Sequence, residues 1–228
     1  DTRAQPPGAR LDMGWRGVRL EQLLPDLPDD GEATGPVSGD LQLTGRGATP
    51  DALLATASGK GALHLRGGRL SAGLDARLGL DGGRLLRQKL APTDDVAILC
   101  ARAELQLRDG RGTLFPLLLD TAKTRMDGRG DVDLPARRAE LLLTPRRKEE
   151  ALLALDRSLL VSVGPGRGQD RSSRDSEGEG EGEGEGEGKG KGKGKDGVDW
   201  RLVPQRPVTP EVACDAPPAL KARKPASP

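Results

Sequence analysis

Catalysis by side chains needs nucleophiles, bases or metal ligands at workable spacing, and this chain offers few. It has one histidine, His64, and two cysteines, Cys100 and Cys214. His64 stands between Leu63 and Leu65, so in a strand it points to the face opposite both leucines. No Ser or Cys motif accompanies it, and a solvated strand histidine is the simpler reading than a catalytic one. One His and two isolated Cys cannot assemble a zinc site. Cys100 lies in an apolar run and reads as a small buried hydrophobe. That reading is preferred to a disulfide with Cys214, which sits in a Pro-rich segment. Gly59-Lys60 and Gly188-Lys189 lack the earlier glycine and the following Ser or Thr of a phosphate-binding loop. Gly164-x-Gly166-x-Gly168 does not have dinucleotide-binding spacing, and Asp29-Asp30 and Asp94-Asp95 read as loop and turn residues. No catalytic residue, metal site or cofactor is expected, so the chain reads as non-enzymatic.

Composition narrows the partners. Lys plus Arg (36) nearly balances Asp plus Glu (35), so no overall field draws the chain to nucleic acid or anionic lipid. Tyr is absent and Phe115 is the one phenylalanine, which removes the usual stacking platforms for bases. No nucleic-acid partner is expected. No run reaches the ~18 to 20 apolar residues of a membrane span, and no signal peptide opens the chain. It begins at Asp1 and reads as a fragment, a mature product or a mis-started one.

The elements that would position any site are short and glycine-bounded. Gly39 to Leu43, Gly61 to Leu65 and Gly130 to Leu134 share the pattern Gly-x-apolar-x-Leu, with the period of two that puts the apolar pair on one sheet face. Ala103 to Leu107 and Ala139 to Leu143 share an Ala-Glu-Leu-x-Leu start; Leu117 with Leu119 and Val161 with Val163 add candidates. Turns are predicted at Arg66-Gly67-Gly68, Arg108-Asp109-Gly110 and Asp127-Gly128. Thr49-Pro50-Asp51 starts a helix that runs to about Ser58, where Gly59 stops it. A second helix is predicted from about Leu74 to Leu90, interrupted by Gly82-Gly83. The expected fold is mainly β (α+β): an antiparallel curved sheet of short strands with two short helices, then a disordered tail.

Three segments follow: a partial upstream strand and linker over 1–35, a β-rich domain over 36–165, and a low-complexity tail over 166–228. Glu177 to Gly188 is six Glu-Gly pairs, continued by Lys-Gly alternation through Lys195. Alternate glycines maximise the entropy lost on folding, and no apolar side chain offsets it. Val208 to Pro228, rich in Pro and Ala, reads the same way.

From Gly39 the order of features becomes specific. Gly39-Asp40-Leu41-Gln42-Leu43-Thr44-Gly45-Arg46-Gly47-Ala48-Thr49-Pro50 is a strand, a Gly-x-Gly turn and a capped helix. Ser58-Gly59-Lys60-Gly61 then leads into Leu63-His64-Leu65-Arg66-Gly67-Gly68-Arg69-Leu70. Leu99-Cys100-Ala101, Arg108-Asp109-Gly110, Leu119-Asp120-Thr121 and Gly128 to Leu134 follow, and Leu141 to Arg146 and Leu160-Val161-Ser162 close the series. Over roughly residues 11–163 the chain resembles the C-terminal region of the AsmA family of bacterial envelope proteins. The resemblance implies an inner-membrane anchor outside this chain, a body on the periplasmic side, and a role in outer-membrane assembly. It also implies handling or transport of phospholipid between membranes, with other envelope proteins as partners. After Val163 the chain departs from the family's short Gly-Pro ending, as repeat expansion or a shifted frame would produce.

The residues expected to carry function are therefore apolar. Leu41, Leu43, Leu63, Leu65, Leu105, Leu107, Leu141 and Leu143 form one face, which either contacts lipid or fills a closed core under the helices. The rival to lipid handling is a structural or interaction module of the periplasm, whose sheet edge pairs with another chain.

Overall fold

Period-two alternation becomes a single antiparallel sheet. In the computed structural model, residues 7–23, 32–90, 95–150, 153–164, 191–193, 198–209 and 212–214 are described. The long strands are β1 (Gly8–Arg19), β3 (Pro36–Arg46), β4 (Ser58–Arg66), β6 (Val96–Arg108), β7 (Arg111–Thr121), β8 (Thr124–Asp133), β9 (Arg138–Arg147), β10 (Arg157–Val163) and β12 (Val198–Pro204). The short ones are β2 (Ala33–Thr34), β5 (Arg69–Leu70) and β11 (Lys191–Lys193). Their order is β1-β3-β4-β6-β7-β8-β9-β10-β12-β11, a curved open sheet; β2 and β5 pair to one side, with β5 also on β6. The strand runs read from the sequence fall in these elements, except that Leu134, the last residue of the Gly130 run, lies in the turn after β8.

Among the described residues four short helices accompany the sheet: α1 (Leu20–Leu23), α2 (Pro50–Ala55), α3 (Ala72–Leu78) and α4 (Gly82–Leu90). Thr49 caps α2 as expected, its hydroxyl accepting the Ala52 N–H at 3.2 Å. The helix ends at Ala55, and Ser58 already belongs to β4. Replacing Thr49 by Ala should lower stability by about 1 kcal/mol, read as a lower urea midpoint with an unchanged slope.

The predicted helix from Leu74 to Leu90 is two helices, and the break lies before Gly82-Gly83. Leu80 takes φ 51°, and Asp81 forms a bridge to Ala154. The glycines then open α4, packed close to Leu153, with Asp81 Oδ1 accepting the Arg84 N–H at 3.0 Å. Asp127-Gly128, read as a turn, lies inside β8. Its glycine leaves room for side chains of the neighbouring strands: a Cβ there would meet Leu143 Cδ2 at 2.7 Å, and the leucine would have to shift. Arg108-Asp109-Gly110 is a two-residue hairpin turn, with Asp109 at φ 49° and Gly110 at φ 72°.

Beyond residue 165 the sequence reading places no sheet, yet β12 pairs with β10 throughout, Arg157 opposite Pro204 and Val163 opposite Val198. Val198, Trp200 and Leu202 alternate with Asp199, Arg201 and Val203, which is the strand period. The short β11 pairs with β12, Lys191 opposite Arg201. The Glu177–Gly188 repeat, Asp29-Asp30, Asp94, and Gly166 with Gly168 lie outside the described residues.

The compact core sits at one end of the sheet. Val37, Leu65, Leu70, Ile98 and Ala33 are buried there, with Leu20 of α1 and Leu74 and Leu78 of α3 packed on them. At the opposite end α2 lies against the β6–β7 turn, where a Cβ on Gly110 would meet the Leu54 carbonyl at 2.6 Å.

Candidate functional site: the apolar sheet face

Residues directly opposed in antiparallel neighbours share a face. Leu41 and Leu43 oppose Gly61 and Gly59, which in turn oppose Leu105 and Leu107. Leu63 and Leu65 stand between Gly39 and Val37 on one side and Ala103 and Ala101 on the other. Leu141 and Leu143 stand between Gly130 and Gly128 of β8 and Val161 and Leu159 of β10. All eight leucines therefore lie on one face.

A single row shows its extent. Met13, Leu41, Gly61, Leu105, Leu114, Gly130, Leu141, Val161 and Trp200 oppose one another in turn from β1 to β12. No residue in the row is polar. At about 4.8 Å between strands the row runs roughly 38 Å. Leucine tips lie over glycines of the next strand: a Cβ on Gly130 would meet Leu141 Cδ2 at 2.3 Å, and one on Gly61 would meet Leu41 Cδ1 at 2.9 Å.

The face is closed near Leu65, under α1 and α3, and at Leu107 at the other end of the strands, and it is open between them. Leu65 is 2% exposed, and Leu107 is also buried. Leu41, Leu43, Leu63, Leu105, Leu141 and Leu143 are half-buried, while Met13 and Trp200 at its margins are 47% and 40% exposed.

The reading by alternation missed Leu114, Met126, Leu159 and Leu202, which share the face. Leu117 and Leu119 were visible as a strand, but Leu114 was not in phase with them. A bulge between Leu114 and Leu117 adds the one residue that restores the phase.

The opposite face is mixed, with exposed polar residues at its margins and buried, paired charges near its middle. Arg102 and Glu104 of β6 are 9% and 6% exposed, and Arg102 Nε donates to Glu104 Oε1 at 2.9 Å. Asp127 receives Arg125 at 2.9 Å and Arg146 at 2.6 Å, and Lys148 pairs with Asp120 at 2.7 Å. Charges packed flat and paired in this way avoid the desolvation cost of isolated ones.

Residues 205–209 and 212–214 form a strap over part of this face. The Arg206 N–H donates to Ser158 Oγ at 2.9 Å, and Thr144 Oγ1 donates to the Arg206 carbonyl at 2.7 Å. Arg125 donates to the Val212 carbonyl at 2.7 Å. Cys214 then forms a disulfide with Cys100, Cα to Cα 6.0 Å. The sequence reading of Cys100 needs correction here: it is buried, as expected, but it is also half of a cross-link. The 114-residue separation hid the partner, which only the return of the strap brings within reach.

His64 opposes Ser38 and Arg102 and is exposed on the polar side, as its phase required. It borders a hollow of about 330 Å³ together with Ser38, Arg66, Arg102 and the disulfide. Among the described residues, no group of three or more His, Cys, Asp or Glu is placed to hold a metal ion, and no helix is long and apolar enough to cross a membrane.

Sequence comparison adds one relative. The chain is 26% identical over 157 residues to the AsmA family protein YhjG of Escherichia coli (strain K12), a match covering 69% of this chain and 23% of that protein. The match supports an AsmA-like family assignment. No family model and no solved structure matches the chain. The AsmA-like chain thus spans about a quarter of the length of this relative. That likeness suggests an envelope protein of the AsmA family.

Proposed function

We propose that this AsmA-like chain is a non-enzymatic module that shelters phospholipid acyl chains on its apolar face, as part of an envelope protein that moves lipid between membranes for outer-membrane assembly. The observation that carries the reading is the row from Met13 to Trp200, apolar throughout, in which Leu41, Leu105, Leu114, Leu141 and Val161 are only half-buried over the buried Gly61 and Gly130. Patches larger than a few hundred Å² are uncommon on soluble surfaces and mark sites of interaction. An acyl chain laid on the face would contribute about 0.8 kcal/mol for each CH₂ removed from water. The Cys100–Cys214 disulfide favours the periplasmic side of the inner membrane, since such bonds persist in oxidising compartments.

The test is lipid extraction and native mass spectrometry of the gently purified full chain. Phospholipid should co-purify with the parent protein and fall about tenfold or more in the Leu105→Glu/Leu141→Glu variant, since a carboxylate on that row must be desolvated by any chain lying there. Absence of phospholipid from the parent protein would reject lipid handling. In that case pairing of a sheet edge with another envelope chain becomes the better account.

A further inference from the structure

The Cys100–Cys214 disulfide lies away from the apolar face, and its two halves sit in unequal surroundings. Cys100, in β6, is 3% exposed, whereas Cys214, at the end of the strap, is half-buried. Both cysteines border the hollow of about 330 Å³ that His64 and Arg66 also line, so a small molecule can approach them from solvent. Among the described residues no carboxylate borders that hollow.

The charges differ as well. Arg66 stands directly opposite Cys100 on β4, about 5 Å away between Cβ atoms. Asp120 opposes Cys100 on the other side, but its Oδ1 is paired with Lys148 at 2.7 Å. Arg102, two residues along β6, is answered by Glu104. That count leaves Arg66, which no acid pairs among the described residues, as the net charge beside Cys100. Cys214 has the opposite neighbour, since its Sγ lies 3.8 Å from Asp120 Oδ2. A thiolate is therefore favoured on Cys100 and disfavoured on Cys214.

Thiol–disulfide exchange is fastest where the attacked sulfur is accessible and the departing one is the better thiolate. We propose that Cys214 is a thiol-exchange site, at which a small thiol entering the hollow forms a mixed disulfide and expels Cys100. The incoming thiolate bonds to Cys214 Sγ as the Cys214–Cys100 bond breaks, and the electron pair leaves on Cys100 as a thiolate beside Arg66. A second thiolate of the same kind then attacks the mixed disulfide and releases Cys214. Two electrons have passed to the protein, and the two small thiols depart as their own disulfide. The strap keeps its hydrogen bonds to Thr144, Ser158 and Arg125 but loses its covalent hold on β6. The inference does not rest on lipid handling, because the disulfide lies on the other face of the sheet.

Brief exposure of the folded full chain to glutathione, an acid quench and mass mapping of peptic peptides read which sulfur is attacked. Glutathione should be found on the Cys214 peptide about tenfold more than on the Cys100 peptide. Arg66→Ala should slow opening of the disulfide about threefold and Arg66→Lys should restore it, while all three chains open at one rate when unfolded in urea. The same slowing should appear with neutral 2-mercaptoethanol, because Arg66 acts on the departing sulfur and not on the incoming thiol. The proposal is overturned if the adduct sits mainly on Cys100 or is shared evenly, or if the bond opens only where urea unfolds the chain. It is equally overturned if Arg66→Ala opens like the parent, or if its slowing is lost with 2-mercaptoethanol.

Discussion

Replacing Asp75 by Ala should cost about 3 to 5 kcal/mol of stability, the range for removing one partner of a buried charge cluster. Asp75 is fully buried in α3. Its two carboxylate oxygens accept Thr121 Oγ1 at 2.6 Å and Thr124 Oγ1 at 3.0 Å, and Arg84 of α4 approaches at 2.7 Å. One side chain thus joins both helices to the β7–β8 turn. Removing it takes the acceptor from the almost fully buried Thr124 hydroxyl and from a partly buried guanidinium, while Thr121 Oγ1 keeps the Thr124 carbonyl at 3.0 Å. Arg84 is 23% exposed and can recover some hydration, so Arg84→Ala should cost clearly less than Asp75→Ala. Urea denaturation of the two variants, with Asp75→Asn as the milder third, checks the ordering. Equal losses for Asp75→Ala and Arg84→Ala would mean that the hydroxyl contacts contribute little.

Cys214→Ser should lower stability by about 2 to 4 kcal/mol. The disulfide spans 114 residues, and a cross-link of that length removes much of the freedom of the unfolded chain. The loss should appear in the denaturant midpoint. Adding a reductant should bring the parent protein down to the level of the variant and leave the variant where it is. The strap hydrogen bonds to Thr144, Ser158 and Arg125 should weaken with it, and hydrogen exchange of the Arg206 amide reads this directly. A parent protein indifferent to reductant would show that those polar contacts hold the strap without the cross-link.

Most of the sheet was legible because alternation survives in Gly39–Leu43, Gly61–Leu65 and Ala139–Leu143, and register then follows from keeping the leucines on one side. Thr49-Pro50 gave α2 for an equally local reason, a cap followed by proline. What escaped was whatever breaks the parity. Ile98 and Cys100 are two residues apart, yet a bulge between them sends Ile98 to the core and Cys100 to the polar face. The bulge at Phe115-Pro116 likewise hid Leu114. Gly128 looked like a turn residue because a glycine needed for side-chain clearance and one needed for a bend are the same letter. The strap and its disulfide rest on tertiary return over more than a hundred residues, which no local pattern encodes.

The order of the strands carries a consequence for how the molecule is built. From β6 to β10 each long strand hydrogen-bonds to the next one in sequence, and β3–β4 is a near-neighbour pair as well. Contacts between segments close in sequence demand little loop closure and form early. Each completed hairpin offers its free edge as a template on which the following strand can add, one at a time, with the leucines already aligned. A chain emerging gradually could therefore extend its sheet as it appears, without waiting for its far end. The piece that must wait is the strap, since the strands it crosses have to exist before it can lie across them.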